Sequence, residues 1–329
     1  MVSANRTTVA VMLLFALLAT VASLAVGRIW LPPATLLQGV ADDKPNLAWM
    51  ILTDLRLPRT LLALMVGATL GLGGGVLQGL MRNPLAEPGL LGVTGGAALG
   101  AVLAIYFGLS RQFAVATPLA GMAGSLVAVA LTYMFGRSGT LTLILAGAAV
   151  SGLAGAGLSL ALNFAPNPYA AYEITTWLLG SVADREWSQI ALCVPFILVG
   201  WICLAATPRG LDALTLGETQ AESLGINLRA LRALTLVGIS LSVGAATSIA
   251  GSIGFVGLVA PHIVRPFVGH QPSRILLPAA LFGAVLLLST DIAIRVIPTS
   301  NELKLGVLTS LIGTPFFFWL VTRLKRMSP

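Results

Sequence analysis

Charged residues are scarce in this chain: Asp, Glu, Lys and Arg make up 9% of its 329 residues, whereas hydrophobic residues make up 57%. Soluble domains average about 25% charged residues, so a soluble fold of this length would have too few charges to cover its surface. The mean hydropathy is +0.93, and several apolar runs reach the roughly 20 residues that cross a hydrocarbon core. The sequence therefore predicts an all-α, polytopic membrane protein in contact with lipid.

Cysteine and histidine are nearly absent, with two of each. Cys193 and Cys203 lie in one apolar segment, about 15 Å apart along a helix, which exceeds the roughly 7 Å between Cα atoms that a disulfide spans. His262 and His270 have no carboxylates close to them in the sequence. No metal site and no cofactor site are therefore predicted in this chain.

A basic cluster is also lacking, although the formal net charge is +7. The Lys and Arg residues stand singly or in pairs between apolar runs, which is typical of membrane-protein loops and does not indicate nucleic acid as a partner. None of the lysines follows a glycine, so the chain lacks the G-x-x-x-x-G-K-[ST] loop that binds nucleotide phosphates. Any energy from nucleotide hydrolysis must come from another polypeptide.

The apolar runs and the breaks between them predict ten helices. Their approximate ranges are 7–30, 58–81, 90–108, 113–136, 141–163, 188–206, 230–249, 256–268, 276–297 and 306–324. The first run is longer than a signal-peptide core and is predicted to be a retained helix. An even number places both termini on one side, and the distribution of Lys and Arg favours the cytoplasm.

The connections predict one transmembrane domain over 1–329. An outer loop covers 31–57, and 164–187 suggests a short interfacial helix. The longest inner loop is 207–229, and loops of that length are usually functional.

Glycines recur at every fourth position of the second predicted helix, at Gly67, Gly71, Gly75 and Gly79. On a helix this spacing forms one stripe without side chains, which lets membrane helices approach closely. Tight helix packing is the first interpretation, and a stripe that borders a transport path is the alternative.

Four long motifs resemble the membrane-subunit family of ATP-binding-cassette importers for iron–siderophores, haem and cobalamin. They are LRLPRTLLALMVGATLGLGGGVLQGLMRNPLAEPGLLGV at 55–93, GSIGFVGLVAPHIVRPFVGHQPSRILLP at 251–278, TDIAIRVI at 290–297 and ELKLGVLTSLIGTPFFFWL at 302–320. The resemblance implies a type II ABC importer permease fold in the bacterial inner membrane. It also implies that the chain has no ATPase site of its own.

The same resemblance implies the partners and the cargo. A second copy of the chain, a cytoplasmic ATP-binding-cassette ATPase dimer that binds ATP and Mg, and a periplasmic substrate-binding protein would complete the importer. The cargo expected first is a ferric siderophore, followed by haem or cobalamin. The alternative class is a secondary transporter driven by an ion gradient, for which Asp291 is the main intramembrane carboxylate.

Three arginines match family positions that contact glutamates of the docked binding protein, namely Arg56, Arg59 and Arg295. Opposite charges on two partners steer and orient their association. The alternatives are snorkelling of Arg56 and Arg59 to the membrane interface and an intrahelical ion pair between Arg295 and Asp291.

The inner loop LGETQAESLGINL resembles the segment that couples such permeases to the ATPase. Glu218, Glu222 and Gly225 occupy the matching positions, and Gly225 is predicted to end a helix in a left-handed cap. An ordinary solvated loop is the alternative. Asn83 lies, by resemblance, near the cytoplasmic end of the path. Lys304 replaces a proline that is common in the family, and its positive charge would suit an anionic cargo.

Overall fold

The computed structural model describes residues 2–27, 47–298 and 303–327, and no strand occurs in those ranges. Its ten longest helices, labelled α1 to α10 in chain order, are Val2–Ala25, Leu57–Leu80, Val93–Tyr106, Ala116–Gly136, Thr140–Asn163, Trp187–Ala205, Leu228–Ala250, Val256–Val268, Pro272–Val296 and Leu305–Met327. Each predicted helix has a counterpart, so the all-α prediction is confirmed. Seven helical runs are long and apolar enough to cross a membrane, whereas α3, α8 and the apolar part of α10 are shorter.

The prediction of one helix over 90–108 was wrong at its start. Pro88–Leu91 forms a separate 3-10 turn, and α3 begins only at Val93. Between them Gly92 has φ +78°, a left-handed conformation that a right-handed helix does not contain. The result is a helix of 14 residues.

The prediction of a loop over 31–57 was wrong for its last part, while residues 28–46 lie outside the described ranges. The chain is α-helical over Leu47–Met50, forms a π-helix over Ile51–Arg56 and continues directly into α2. A proline ring clashes with the preceding turn of an ordinary helix, and the wider π-helix ends two residues before Pro58. The combined run, Leu47–Leu80, has 34 residues.

Helix α2 lies at the centre of the bundle. In its most apolar window 83% of the residues are buried inside the protein, against 11% for α1. Helix α2 packs along α9 and also contacts α7 and α8, while α1 covers the outside of α9. The central position explains why α2 carries so many small residues, since neighbours approach it from several sides.

The first two glycines of the stripe lie directly against the backbone of α9. A Cβ atom on Gly67 would lie 2.4 Å from the carbonyl oxygen of Gly283, and one on Gly71 would lie 2.1 Å from that of Ala279. Neither position has room for any side chain. This close approach of two backbones is the small-residue packing that membrane helices use.

The other two glycines of the stripe have more space. A Cβ atom on Gly75 would lie 3.2 Å from a methyl group of Leu276, and one on Gly79 would lie 3.4 Å from Leu211 and Pro272. All four glycines therefore face neighbouring parts of the same chain. At Gly67 and Gly71 the stripe serves helix packing, and a stripe that borders the transport path remains a prediction.

Replacing Gly71 with Ala should destabilise the protein, because the new Cβ would overlap the carbonyl of Ala279 and both backbones are held in helices. Overpacking of this kind costs about 1–3 kcal/mol, measured as a lower thermal unfolding midpoint in detergent. Gly79→Ala is the matched control, because its Cβ would make ordinary contacts. Equal midpoints for the two variants would contradict this packing.

Candidate functional site

One end of the bundle holds the three arginines that the sequence singles out. Arg56 is the last residue of the π-helix and is 6% exposed. Its Nη1 atom donates to the carbonyl oxygens of Leu24, at 2.8 Å, and Ala25, at 2.7 Å. The last carbonyls of a helix have no partner within the helix and carry partial negative charge. Arg56 therefore caps the end of α1.

Asp291 connects the other two arginines. Its side chain is fully buried on α9, and it accepts a hydrogen bond of 2.9 Å from Nε of Arg59 on α2. Arg295, one turn further along α9, pairs with the same carboxylate and donates to the carbonyl oxygen of Ser23 at 2.7 Å. A buried charge is tolerated where it is paired and hydrogen-bonded, and Asp291 satisfies both conditions.

The arginine cluster, defined as Arg56, Arg59, Arg295 and Asp291, thus joins α1, α2 and α9. The guanidinium groups bind acceptors within the chain, and Arg59 is the most exposed, at 18% of its side chain. The predicted intrahelical pair between Arg295 and Asp291 is present. Contact with a docked protein remains a prediction for all three arginines.

Replacing Asp291 with Asn should destabilise the protein strongly. Removal of one partner from a buried ion pair costs about 3–5 kcal/mol, because it leaves uncompensated charges, here those of Arg59 and Arg295. Thermal unfolding in detergent is the measurement, and Asp54→Asn is the control, since Asp54 is exposed at the same end. An unchanged midpoint for Asp291→Asn would show that the cluster does not hold the three helices together.

The opposite end of α2 meets the predicted coupling loop, which contains two short helices, Pro208–Leu214 and Glu218–Ser223. Glu218 binds two other parts of the bundle. Its Oε1 atom accepts a hydrogen bond of 2.8 Å from the hydroxyl of Thr140, the first residue of α5, and lies 2.8 Å from Nη2 of Arg232 on α7. Glu218 therefore fixes the second short helix to α5 and α7.

The environment of Glu218 favours its charged form. Burial alone would raise the pKa of Glu218, but the hydrogen bonds from Thr140 and Arg232, with the charges of Arg232 and Arg82, lower it below its ordinary value. A lowered pKa means that the carboxylate stabilises the fold above the pKa of an unfolded Glu, about 4.3. That contribution is lost as the pH falls through the lowered pKa.

The first short helix is attached to α9. Asp212 accepts hydrogen bonds from the backbone nitrogen of Ser273, at 2.9 Å, and from the side chain of Gln271, at 2.7 Å. A carboxylate at the start of a helix also interacts favourably with the partial positive charge there. Three helices, α5, α7 and α9, thus hold the coupling loop.

Gly225 ends the second short helix as predicted. It has φ +85°, its backbone nitrogen donates to the carbonyl of Glu222, and that of Ile226 donates to the carbonyl of Ala221. These two bonds define a Schellman motif. The side chain of Glu222 is exposed and forms no ion pair with any residue in the described ranges. It is free of the internal contacts that hold Glu218.

Asn83 forms a turn between α2 and α3. Its Oδ1 atom accepts a hydrogen bond of 2.9 Å from the backbone nitrogen of Leu85, so the side chain replaces a backbone group in the turn. A role along the transport path remains a prediction for Asn83.

The histidines do not belong to a metal-binding group in the parts of the chain that the structure describes. No group of three or more His, Cys, Asp or Glu is placed there to hold a metal ion. His262 instead packs edge-on against Phe316, with ring centroids 5.6 Å apart.

Several partners of the predicted site residues could not be found from the sequence. Arg59 and Asp291 are 232 positions apart, and nothing in the sequence pairs Glu218 with Thr140 or Arg232. The only local signal was the spacing of four between Asp291 and Arg295.

The protein has helices long and apolar enough to span a membrane. The arginine cluster lies at one end of them, and two short helices are bonded to the other end. This is the architecture of a multi-pass membrane permease. The chain belongs to the FecCD transport family, whose sequence profile matches residues 13–323. It is therefore an ABC importer permease of the type that the motifs indicated.

The relatives are similar over nearly their whole length. The vitamin B12 import system permease proteins BtuC of Salmonella paratyphi A and Salmonella typhimurium are each 38% identical over 317 residues, which is 95% of this chain and 94% of theirs.

Solved structures agree with the family. An inward-facing ABC transporter assigned to the metal-chelate type is 35% identical, with a TM-score of 0.86 over 97% of this chain and 99% of that one. PsaBC from Streptococcus pneumoniae, in complex with Fab, is 15% identical with a TM-score of 0.50 over 87% of this chain and 94% of that one, which shows a shared fold alone. The type II ABC permease fold is thus confirmed.

Glu218 and Glu222 should respond differently to removal of their charge. Glu218→Gln loses the ion pair with Arg232, so amide hydrogen exchange over 208–223 should become faster at neutral pH. Glu222→Gln should leave that exchange unchanged, because its side chain holds no described residue, and should weaken binding of the cognate ATPase. The reverse pattern would show that the two residues have been assigned the wrong roles.

Proposed function

We propose that this chain is the permease subunit of a binding-protein-dependent importer that works as a homodimer in the bacterial inner membrane. The binding protein would deliver its cargo at the end with the arginine cluster. The cytoplasmic ATPase dimer would bind the coupling loop at the opposite end. Both termini would lie in the cytoplasm, because this orientation places more Lys and Arg inside.

The observation that carries this proposal is the way in which Glu218 and Asp212 hold the coupling loop. The two short helices are fixed to α5, α7 and α9 by charged or polar bonds of 2.7–2.9 Å. A movement imposed on this loop by a partner would therefore be passed to three long helices. Family membership itself implies an ATPase and a binding protein as partners.

We propose a bulky metal chelate as the cargo, with a corrinoid as the first candidate. This order rests on the relatives that are 38% identical, which are named for vitamin B12 import. It differs from the order expected from the sequence, in which a ferric siderophore came first. The ferric siderophore becomes the second candidate, favoured by Lys304, whose positive charge suits anionic chelates.

The alternative of an ion-driven secondary transporter is less well supported by the surroundings of Asp291. A carboxylate that carries protons or cations through a membrane protein must exchange its partners during the cycle. Asp291 is instead fully buried between Arg59 and Arg295. Two arginines on one carboxylate strongly favour a permanent ion pair.

The permease, reconstituted in liposomes with its cognate ATPase and binding protein, should accumulate the cargo only when ATP is supplied on the ATPase side. Radiolabelled cobalamin, a ferric hydroxamate and haem are the three cargoes to compare. The control complex carries an ATPase whose phosphate-binding lysine is replaced with Ala, and it should accumulate none of them.

Two outcomes would contradict the proposal. Uptake that continues with the disabled ATPase and stops when an ionophore collapses the proton gradient would support the secondary transporter. The absence of ATP-dependent uptake for all three cargoes, in a complex that assembles and hydrolyses ATP, would exclude metal chelates of these classes.

A further inference from the structure

A polar cavity of about 410 Å³ opens at the same end of the bundle as the arginine cluster. It lies between the short helix Pro168–Leu178 and the ends of α3, α4, α6 and α7. The indole nitrogen of Trp187, at the start of α6, donates to the carbonyl of Thr53 at 3.0 Å. This bond attaches the start of α6, beside the cavity, to the π-helix that contains Arg56.

Arg185 lines this cavity with part of its guanidinium group buried. Its Nε atom is closed off from solvent and has no hydrogen-bond partner, and no described carboxylate lies within ion-pair distance of the guanidinium. Burial lowers the pKa of Arg185, and the charge of Asp184 offsets part of that effect. A shielded cation without a counter-ion is costly, so an oxyanion in the cavity would be stabilised by it.

Lys304 lines the same cavity and forms no ion pair with a residue in the described ranges. It therefore adds a second cation to the lining of the cavity. Arg185 offers the planar fork that binds carboxylates and phosphates through two bonds, and Lys304 offers a mobile ammonium. The two cations come from segments that are far apart in the sequence.

Three carboxylates also line the cavity, and two of them have hydrogen-bond partners within the chain. Glu173 accepts a hydrogen bond of 3.3 Å from Ser110 and lies 4.0 Å from Arg111. Glu186 caps the start of α6 and accepts a bond of 3.1 Å from Ser188. The third, Asp184, is exposed to solvent. Asp184 acts on Arg185 through its charge, but neither Arg185 nor Lys304 forms an ion pair with a described residue.

We propose that this cavity binds an oxyanion, a carboxylate or a phosphate, carried by the cargo as it leaves the binding protein. The inference rests on the proposed function, and it deepens it by assigning the permease a cargo with at least one negative oxygen group. Arg185 and Lys304 hold the oxyanion, and the hydroxyl groups of Thr176 and Ser181 line the same space. The open, solvent-connected cavity makes this binding weak, which suits a cargo in transit.

Direct binding of citrate and inorganic phosphate to the dimeric permease tests the site without knowledge of the cargo. The permease is placed in nanodiscs of phosphatidylcholine, which has no net charge, and binding is measured by calorimetry. Arg185→Gln and Lys304→Gln should each weaken binding about tenfold, which is about 1.4 kcal/mol, because each variant removes a charge-assisted hydrogen bond. Arg185→Lys should retain part of it.

Arg137→Gln is the matched control, because Arg137 is exposed at the end of α4, remote from the cavity. It removes the same charge and should leave the affinity unchanged. Thermal unfolding of every variant distinguishes a loss of binding from a loss of fold. Equal affinities of wild type and the Arg185→Gln/Lys304→Gln double variant would overturn the proposal.

The oxyanion could belong to the cargo or to the binding protein itself, and the binding protein without cargo, here called empty, distinguishes the two. If the cavity serves the cargo, the double variant should bind the empty binding protein as wild type does and should show a raised KM for uptake of the transported chelate. Weaker docking of the empty binding protein would assign the cavity to an acidic side chain of that protein and overturn the proposal. ATP-driven uptake by the wild type, measured in parallel, shows whether the proposed function itself stands.

Discussion

The backbone contact between α2 and α9 is the constraint on which both ends of the molecule depend. Gly67 and Gly71 let the two helices touch without side chains between them. At one end of this pair, Asp291 of α9 binds Arg59 of α2. At the other end, Leu211 of the coupling loop lies beside Gly79, and Asp212 binds the start of α9. The two helices, each about 36 Å long by helix geometry, therefore connect the arginine cluster with the coupling loop, which are the two candidate docking surfaces.

Charge is used sparingly and in a consistent way. Where a charge is buried among the helices, it is paired, as Asp291 is with Arg59 and Arg295, or it binds helix ends, as Arg56 does with the last carbonyls of α1. Such bonds satisfy polar groups that lie in the lipid region, where water is not available as a partner. Arg265 of α8 donates to the side chain of Gln78 in the same way. Three charged residues outside the membrane-spanning helices differ. Glu222 at the inner end and the two cations of the polar cavity at the outer end make no ion pair with described residues, and these are the places where a partner or a cargo would bind.

The sequence predicted features that depend on local pattern, and it failed for features that depend on distant contacts. Long apolar runs predicted all ten helices, and the glycine at 225 predicted a left-handed cap, because each signal lies within a few residues. The helical turns before α2 were missed, since a π-helix has no distinct composition. The 3-10 turn before α3 was missed because residues 90–92 were assigned to the helix that follows them. The bonds of Arg59 to Asp291 and of Glu218 to Thr140 and Arg232 join separate helices, so no spacing revealed them.

The central claim is that α2 and α9 move as one body when the ATPase acts on the coupling loop. Pulsed electron–electron spin resonance tests it with nitroxide labels at two exposed positions, one in the helical run that continues into α2 and one near the start of α9. The labels are introduced by Asp54→Cys and Leu277→Cys in a variant without Cys193 and Cys203. Labelled chains are diluted with unlabelled ones, so that only distances within one chain are measured. The complete importer should give the same distance between the two labels with and without bound ATP. A change in that distance on ATP binding would contradict the claim.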